Sequence, residues 1–398
     1  MRISYHIKQL PKKFVPLLLT ATACLFLNQC AQENTETTPI SILEFEDAIN
    51  HWQSKRGSDY PRHDPKEITL IADNMLIMQR DHGGWKQNQD PLRILDAEST
   101  NQYLAEKSDP FASFDNRNIY TQIRYLMSAY EQVNDERHKE AALKGLDYLL
   151  SQQIASCGGW PHSNPSSNSY HGHITIADEV FSGPMLLLRE ISEAQPPFQN
   201  LDNATKQRAL EARKAGDSCL LSLQIKQNGK RLGWAGQYDP VTLAPAQGRS
   251  FELPAMVTQE TVDILRYLMT IKEPDTDVIQ SIQGGIEWLK QSAIADTKIE
   301  TIQLETPIEY KYHTANFDRV LVKGDNAGTL WARFYDLSDN TIVLANRDSV
   351  RVAKYEDIHQ ERRTGYSWYG VWPAELLEKE YPAWSCRVLN QSTNDEAC

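Results

Sequence analysis

Three stretches of the chain repeat one another: Met78-Gln-Arg-Asp-His-Gly-Gly-Trp85, Leu150-Ser-Gln-Gln-Ile-Ala-Ser-Cys-Gly-Gly-Trp160 and Leu223-Gln-Ile-Lys-Gln-Asn-Gly-Lys-Arg-Leu-Gly-Trp234. Each ends an apolar run of helical periodicity, and the tryptophans at 85, 160 and 234 are 75 and 74 residues apart. A fixed period with helical content is typical of repeat architectures. The pattern predicts that a helix ends, that glycine supplies a positive φ at its C-terminus, and that a tryptophan lies at the turn.

Two interpretations of these turns differ in what they imply for function. If the three turns lie at one end of a helical ring, they form one groove ringed by Trp85, Trp160 and Trp234. Alternatively, each Gly-Gly-Trp only fills the space between two helices. The polar, acid-bearing loop after each tryptophan favours the groove, although shape alone does not specify chemistry.

Composition limits the classes of function. The chain has 398 residues, of which 24% are charged and 9% aromatic, and this composition indicates a globular protein. The net charge of -12 argues against a general nucleic-acid or anionic-membrane surface. An anionic substrate would need a local cluster of Arg and Lys or a bridging divalent cation.

The N-terminus has the pattern of a secretory signal peptide over residues 1–30. Basic residues precede the apolar run 14–27, which is too short for a comfortable membrane span. Leu27 and Cys30 suit a bacterial lipoprotein site, although Gln29 replaces the expected small residue, so a lipid anchor at Cys30 is a further hypothesis. Residues 31–40 form a polar tether and 41–398 a single domain. We expect a monomer that is secreted, periplasmic or anchored to the outer membrane.

Four cysteines remain once Cys24 and Cys30 are assigned to the signal segment. In an exported protein Cys386 and Cys398 could close a small C-terminal loop. No pair has CxxC spacing, which argues against a thiolate zinc site.

The periodicity predicts a mainly α fold with a C-terminal strand-and-loop segment. Predicted helices cover 42–52, 66–79, 118–131, 141–152, 184–192, 204–224, 258–271 and 278–293. From residue 298 onward, alternating or β-branched runs at 308–312, 320–323, 330–336 and 340–345 predict short strands. The stretch 80–117 reads as a long polar connection.

Acids follow each tryptophan turn: Asp115, then Asp178 with Glu179, then Asp239 and Glu252. Each could simply cap a helix or face solvent. If the turns converge, the acids converge too, and clustered carboxylates bind Ca²⁺ or act as a general acid and base.

The C-terminal region supplies the opposite charge. Arginines 333, 347, 362 and 363 lie among aromatic residues, and guanidinium groups pair with carboxylates in bidentate fashion. An arginine and aromatic strip opposite acids indicates an acidic sugar polymer. The alternative is that the arginines form structural ion pairs with Glu361 and Asp348. No GxSxG, HExxH, P-loop or dinucleotide motif is present.

Several segments resemble the family 10 polysaccharide lyases, the pectate lyases of PelA type. They lie in the family's order over roughly residues 66–375: Arg80-Asp-His-Gly-Gly-Trp85, Asp115-Asn116, Gly158-Gly-Trp-Pro161, Tyr170-His171 through Asp178, Gln237-Tyr-Asp-Pro-Val-Thr-Leu-Ala-Pro245, Phe251-Glu-Leu-Pro254, Trp331-Ala-Arg-Phe-Tyr-Asp336, Asn346-Arg-Asp348 and Glu361-Arg-Arg-Thr-Gly-Tyr-Ser-Trp-Tyr-Gly370.

The resemblance implies an (α/α)3 partial toroid and Ca²⁺-assisted β-elimination of polygalacturonate or a related uronan. It implies that Asp178 and Asp239 are the catalytic acids and hold the calcium. Substrate contacts would come from a separate set of residues: Asn116, Trp160, His171, Arg347, Arg362 and Arg363. Removal of the C5 proton leaves charge on the uronate, which a cation or arginine must stabilise.

Some positions depart from the family pattern. Arg117 stands where a glycine is expected, and Ala177-Asp178-Glu179 replaces Asn-Asp-Asp. The resemblance implies an arginine as the base, and the segment 298–303, where the family pattern places it, contains none. Two rival functions follow: an inactive relative that binds acidic polysaccharide, and a glycoside hydrolase on an α/α toroid.

Overall fold

The apolar runs form helices where their periodicity predicts them. The computed structural model of the protein describes residues 38–389. The helices are α1 (Glu46–Arg56), α2 (Ile68–Met78), α3 (Ala97–Ala105), α4 (Tyr120–Val133), α5 (Glu136–Ser151), α6 (Ser182–Ser192), α7 (Asn203–Leu223), α8 (Thr258–Met269), α9 (Thr276–Gln291), α10 (Gln360–Gly365), α11 (Pro373–Glu375) and α12 (Tyr381–Leu389). The predicted signal segment, Cys30 and Cys398 lie outside the described residues.

Three helix pairs, α4–α5, α6–α7 and α8–α9, form the body of the domain. The first helix of each pair is buried over most of its length, whereas the second buries one stripe and exposes the rest. The buried helices pack on one another in sequence, and α2 packs on α4 and α5 ahead of the first pair. This arrangement confirms the mainly α class with three helix pairs, as an (α/α)3 partial toroid requires.

The three repeated tryptophans are core residues, so the predicted groove ringed by them is wrong. Trp85 is 2% exposed, and Trp160 and Trp234 are fully buried. Each indole Nε1 donates to a carbonyl near the end of the preceding helix: Met75 at 2.9 Å, Leu149 at 2.9 Å and Leu220 at 2.8 Å. A buried indole needs a partner for its N–H, and the turn supplies it. Trp160 therefore cannot contact substrate as predicted.

Trp331 is a fourth member of this set. Its Nε1 donates to the carbonyl of Leu289, near the end of α9, at 2.7 Å. The repeat is hidden in the sequence because 42 positions separate donor and acceptor, compared with 10, 11 and 14 in the other three turns.

Glutamine side chains fasten the first three turns to the next exposed helix. Gln79 Nε2 donates to the carbonyls of Gly83 and Ala141, both at 2.9 Å. Gln153 and Gln224 repeat this bridge, from their own turns to α7 and α9 respectively. Helices α2 and α7 are capped by Gln79 and Gln224, and α5 by Gln152, rather than by glycine, although Gly83 does adopt a positive φ of 102°. A Cβ at Gly83 would lie 2.2 Å from the Lys144 carbonyl oxygen, so close approach also demands glycine there.

Short strands join the loops that follow the tryptophans. The strands are β1 (Ala112–Ser113), β2 (Ser163–Asn164), β3 (Ile174–Thr175), β4 (Lys226–Gln227), β5 (Lys230–Arg231), β6 (Trp234–Ala235), β7 (Gln237–Tyr238), β8 (Met256–Val257), β9 (Ile294–Ala295), β10 (Thr297–Glu309), β11 (Thr314–Lys323), β12 (Thr329–Ala332), β13 (Phe334–Tyr335), β14 (Leu344–Ala345), β15 (Arg351–Val352) and β16 (Tyr369–Gly370). Antiparallel pairs β1–β2, β3–β7, β6–β8 and β8–β13 connect loops of successive repeats. The turns therefore converge on one end of the helical body, as predicted.

The longest strands, β10 and β11, form an antiparallel hairpin inserted between α9 and Trp331. Its register runs from Thr297 opposite Lys323 to Glu309 opposite Thr314, with an irregularity between Gln303 and Ile308. The predicted C-terminal strand-and-loop segment is confirmed, although the hairpin is longer than the predicted strands.

Two features were not predicted from the sequence. Helix α3 lies in the stretch interpreted as a connection, and Asp96 caps it by accepting from the Ser99 amide at 2.7 Å. Cys157 and Cys219 form a disulfide that ties the second tryptophan turn to α7. Among residues 38–389 no helix has the length and apolar character needed to cross a bilayer.

Candidate functional site

Two acids and two arginines from four different loops lie together at the end of the helical body, with a fifth charged residue beneath them. We call Asp115, Asp178, Glu260, Arg249 and Arg333 the acid–arginine cluster. Asp115 follows β1, Asp178 follows β3, and Arg333 separates β12 from β13, while Glu260 lies in the first turn of α8 directly after β8. The paired short strands therefore bring these side chains to one place.

Strained backbone presents both acids of the cluster. Asn116 and Arg117, directly after Asp115, have positive φ, as do Asp178 (φ 54°) and Glu179 (φ 57°). Such conformations cost free energy in residues other than glycine and concentrate at functional sites. An ion pair connects the two strained segments, because Arg117 Nη2 lies 2.7 Å from Glu179 Oε1. Glu179 also accepts from the Tyr120 hydroxyl at 3.0 Å.

The negative charge of Asp178 is the least neutralised among the acids of the cluster. Its nearest cation is Arg333, whose Nη2 lies 4.0 Å from Asp178 Oδ1, but Arg333 forms a closer ion pair with buried Glu260. Within the described residues its carboxylate accepts no hydrogen bond. Burial and the negative charge of Asp115 raise the pKa of Asp178 to about 6. A carboxyl in this setting gains from an added cation.

Asp115 is charged and is backed by histidines. Burial raises its pKa, but the hydrogen bond and charge of His162 outweigh burial and lower it overall. His162 Nε2 lies 3.4 Å from Asp115 Oδ2, and the His162 ring stacks on His171 at 4.3 Å. Burial and His162 lower the pKa of His171 to about 4, so His171 is neutral at physiological pH. The structure thus places His171 behind Asp115, and its predicted contact with substrate stays a prediction.

Arg249 is the exposed guanidinium of the cluster. Its Nε and Nη2 donate to Glu252 Oε1 at 2.9 and 2.6 Å, and its side chain is 44% exposed. Tyr366, which is buried, also donates to Glu252 Oε1 at 2.7 Å and so fixes the loop from below. Burial lowers the pKa of Arg249, but the Glu252 carboxylate more than offsets this and raises it well above the usual value.

Three arginines surround the ring of Phe251, which is buried. The guanidinium carbons of Arg249, Arg347 and Arg362 lie 5.4, 5.3 and 4.7 Å from its centroid. Such contacts are cation–π interactions. Phe251 thus links the acid–arginine cluster to the C-terminal arginines.

Arg347 and Arg362 share one carboxylate, as the ion-pair alternative predicted. Arg347 donates to Glu361 through Nε at 3.0 Å and Nη2 at 2.9 Å, and Arg362 donates to both oxygens of the same residue. Burial raises the pKa of Glu361, but these arginine hydrogen bonds outweigh it and lower the pKa to about 2. Arg363 instead forms a bidentate pair with Asp318 on the hairpin, at 3.0 and 2.6 Å.

Asp239 and Asn116 make local contacts. Asp239 Oδ1 accepts from the amides of Val241 and Thr242, at 2.9 and 2.7 Å, in an Asx turn. These bonds lower its pKa. Asn116 Nδ2 donates to Asn88 Oδ1 at 2.7 Å. The charge of Asp115, rather than that of Asp239, acts on Asp178, so the joint ligand role of Asp178 and Asp239 stays a prediction without a contact behind it.

A second group of potential metal ligands lies elsewhere. In the described part of the chain, only Asp73, Asp135 and His138 place three ligand atoms within 4.8 Å of one another. Arg137 Nη2 already lies 3.0 Å from Asp73 and 2.6 Å from Asp135. This cluster therefore has its own cation.

Arg249 was not predicted from the sequence. The family arginine was expected in residues 298–303, which lie on β10 of the hairpin. A signal for Arg249 was present, because this arginine stands two positions before the motif Phe251-Glu-Leu-Pro254.

Comparison with known proteins identifies the class. The family model described as pectic acid lyase matches residues 79–377. The chain resembles the family 10 polysaccharide lyase from Cellvibrio cellulosa, with 22% identity and a TM-score of 0.66 over 87% of this chain and all of that one. A mutant of that lyase in complex with trigalacturonic acid matches with 21% identity and a TM-score of 0.67, over 90% of this chain and all of the other. No curated protein sequence matches significantly.

These findings fix the family. The fold is that of a family 10 polysaccharide lyase. The chain belongs to the pectic acid lyase family, as the resemblance of its motifs implied.

Proposed function

We propose that the protein cleaves polygalacturonate, or a closely related uronan, by Ca²⁺-assisted β-elimination at the acid–arginine cluster. The observation that carries the proposal is the setting of Asp178. Its carboxylate lies on strained backbone, beside a second carboxylate and opposite two guanidinium groups, with no hydrogen bond from the described residues. The related lyase whose structure contains trigalacturonic acid supports the substrate class.

The donor set fits calcium. Ca²⁺ prefers carboxylate, carbonyl and water oxygens in flexible geometry, and Asp115 and Asp178 supply carboxylates without a competing thiolate. We assign Asp178 and Asp115 as the protein ligands, with substrate and water oxygens completing the shell. When bound, the cation would withdraw charge from the uronate carboxylate and acidify the C5 proton.

Arg249 faces the reacting sugar in this proposal. In β-elimination a base takes the C5 proton, the electron pair of the C5–H bond forms the C4–C5 double bond, the C4–O bond breaks, and the departing oxygen takes a proton from water. Arg249, which Glu252 keeps protonated in the free chain, supplies positive charge to the anion that forms at C5 and the carboxylate. A role as the base requires that Arg249 give up this proton when the uronate binds.

Arg347 binds a further carboxylate of the polymer, and Arg362 acts through the Glu361 carboxylate that the two arginines share. Arg347 has a 38% exposed side chain and an Nη1 with no partner among residues 38–389, whereas Arg362 is buried and positions Glu361. Arg363 anchors the hairpin through Asp318.

Export is part of the proposal. The signal-like N-terminus and the Cys157–Cys219 disulfide both suit an oxidising compartment, where disulfides persist. The lipid anchor at Cys30 and the monomeric state are proposed with it, on the sequence alone.

One assay separates this proposal from its rivals. Purified protein is incubated with polygalacturonate, with calcium or with a chelator, while near-ultraviolet absorbance and reducing ends are followed. A lyase raises both signals, and the chelator abolishes the rise. A hydrolase would raise reducing ends alone, and an inactive binder would retain polymer with neither signal.

A further inference from the structure

The β10–β11 hairpin is attached to the part of the chain that carries Arg347 and Arg362, which we call the outer arginines. A two-stranded ribbon is marginally stable on its own, and β10 is exposed along most of its length. Its fixed position therefore depends on contacts with the rest of the domain.

Those contacts are concentrated on α10. Arg363 pairs with Asp318, Tyr310 donates to Gln360 Oε1 at 3.1 Å, and His313 Nε2 lies 2.9 Å from Thr364 Oγ1. Helix α10 also carries Glu361 and Arg362. The hairpin tip is thus held against the helix that orients the outer arginines.

The tip presents an aromatic ring to solvent beside two cations. Tyr312 is 63% exposed. The guanidinium carbon of Arg347 lies 4.6 Å from its centroid and the Lys311 Nζ lies 5.0 Å from it. The same Arg347 contacts Phe251, so the exposed ring continues the line of arginines and aromatics that starts at Arg249.

The chemistry of this tip suits a sugar acid. An aromatic face packs against the apolar face of a pyranose ring, and a guanidinium or ammonium group pairs with its carboxylate.

We propose that Tyr312, with Lys311 and Arg347, forms an outer subsite that binds a uronate unit of the polymer beyond those held at the acid–arginine cluster. This inference rests on the proposed function. With this subsite, the hairpin favours the binding of long polymer chains over that of short oligomers.

The test compares Tyr312→Ala with Tyr312→Phe, which keeps the ring, and with Ile302→Ala as a matched control. Ile302 is on the same hairpin, is 48% exposed and is away from the tip. Initial rates are measured on polygalacturonate and on trigalacturonate, and polymer affinity by electrophoresis in gels containing polygalacturonate. Thermal unfolding checks that the variants fold.

Tyr312→Ala should lose about tenfold in kcat/KM and affinity for the polymer, the usual cost of truncating an aromatic anchor. Its loss on trigalacturonate should be much smaller, and Tyr312→Phe and Ile302→Ala should match the wild type on both. Equal losses on both substrates would show that Tyr312 only orients Arg347, and a polymer result like that of Ile302→Ala would also overturn the subsite. A wild type that neither binds nor cleaves polygalacturonate defeats the proposed function itself, which no Tyr312 variant can do.

Discussion

Arg333 Nη2 lies 4.0 Å from Asp178 Oδ1 while its closer partner is Glu260, which is 2% exposed. Arg333 therefore interacts with two acids, and it stabilises the charge of Asp178 less than that of Glu260. With Asp115 nearby as well, the ionised form of Asp178 is disfavoured in the folded chain. A carboxylate whose ionised form is disfavoured in this way is typical of a cation-binding site without its ion.

The first prediction concerns Asp178→Asn and pH. The pKa of Asp178 is raised from 3.8 to about 6, so between these values the folded chain holds more protons than the unfolded chain. The free energy of unfolding of the wild type therefore falls as pH rises through this window. The asparagine variant escapes this cost and should be more stable by about 1 kcal/mol above pH 6 in chelator, after allowance for solvent screening of a partly exposed group.

Thermal unfolding at several pH values measures this effect. The gain should shrink below about pH 4, and calcium should stabilise the wild type but not the variant. A variant that is no more stable than the wild type at pH 8, or that still responds to calcium, would contradict the assignment of Asp178.

The second prediction concerns Arg249→Lys. Lysine keeps a positive charge but loses the planar fork that Arg249 aligns on Glu252, so kcat should fall about 100- to 1000-fold. Arg208→Lys is the control, because Arg208 pairs with Asp147 on the surface and should keep full activity. If Arg249 acts as the base, the lysine variant's rate should also rise with pH and level off earlier than that of the wild type. A kcat within threefold of the wild type would exclude Arg249 from the chemistry.

The third prediction explains two departures from the family pattern. Arg117 stands at the expected glycine and Glu179 at an expected aspartate, and the structure shows that these two residues bond to one another at 2.7 Å. A double-mutant cycle with Arg117→Ala and Glu179→Ala should give a coupling energy of about 0.5–1 kcal/mol. The Arg208–Asp147 pair, at 2.7 Å but more exposed, should give about zero. Additive effects at Arg117 and Glu179 would show that the two departures are independent.

The helices could be predicted from the sequence because burial of one stripe imposes a periodicity that survives in the chain. The convergence of Asp115 and Asp178 followed from the repeat, since equivalent loops must lie at the same end. The burial of the tryptophans could not be predicted from the sequence, because a Gly-Trp pattern is the same whether the indole points into the core or out of it. Trp331 was missed because the hairpin separates it from its helix.

The rest of the site depends on tertiary contacts. Arg249 lies in an irregular loop whose shape comes from Glu252 and Tyr366, more than 110 positions apart, and no local pattern encodes that contact. The polar stretch that contains α3 has only a weak helical pattern, although Asp96 followed by Ser99 fits an N-cap.

The fourth prediction separates structural from binding roles of the repeated tryptophans. Trp160→Ala should lower the free energy of unfolding by about 3–5 kcal/mol, because it leaves a cavity and removes the indole hydrogen bond to the Leu149 carbonyl. Trp331 occupies the equivalent position, so Trp331→Ala should lower the free energy of unfolding by a similar amount. Chemical denaturation measures both. Polygalacturonate affinity of the folded fraction should stay at the wild-type value, and a selective loss of affinity in Trp160→Ala would restore the groove interpretation.

The fifth prediction concerns the disulfide. Cys157 and Cys219 are 62 positions apart, and closing a loop of that length in the unfolded chain is expected to stabilise the fold by about 4 kcal/mol. The double variant Cys157→Ser, Cys219→Ser should therefore melt at a lower temperature than the wild type without reductant. Reductant should lower the melting temperature of the wild type by more than that of the variant, because only the wild type has the Cys157–Cys219 bond to lose. Because the bond fastens the turn of Trp160 to α7, limited proteolysis of the variant should begin in this turn, and cleavage that starts elsewhere would show that the disulfide does not secure it.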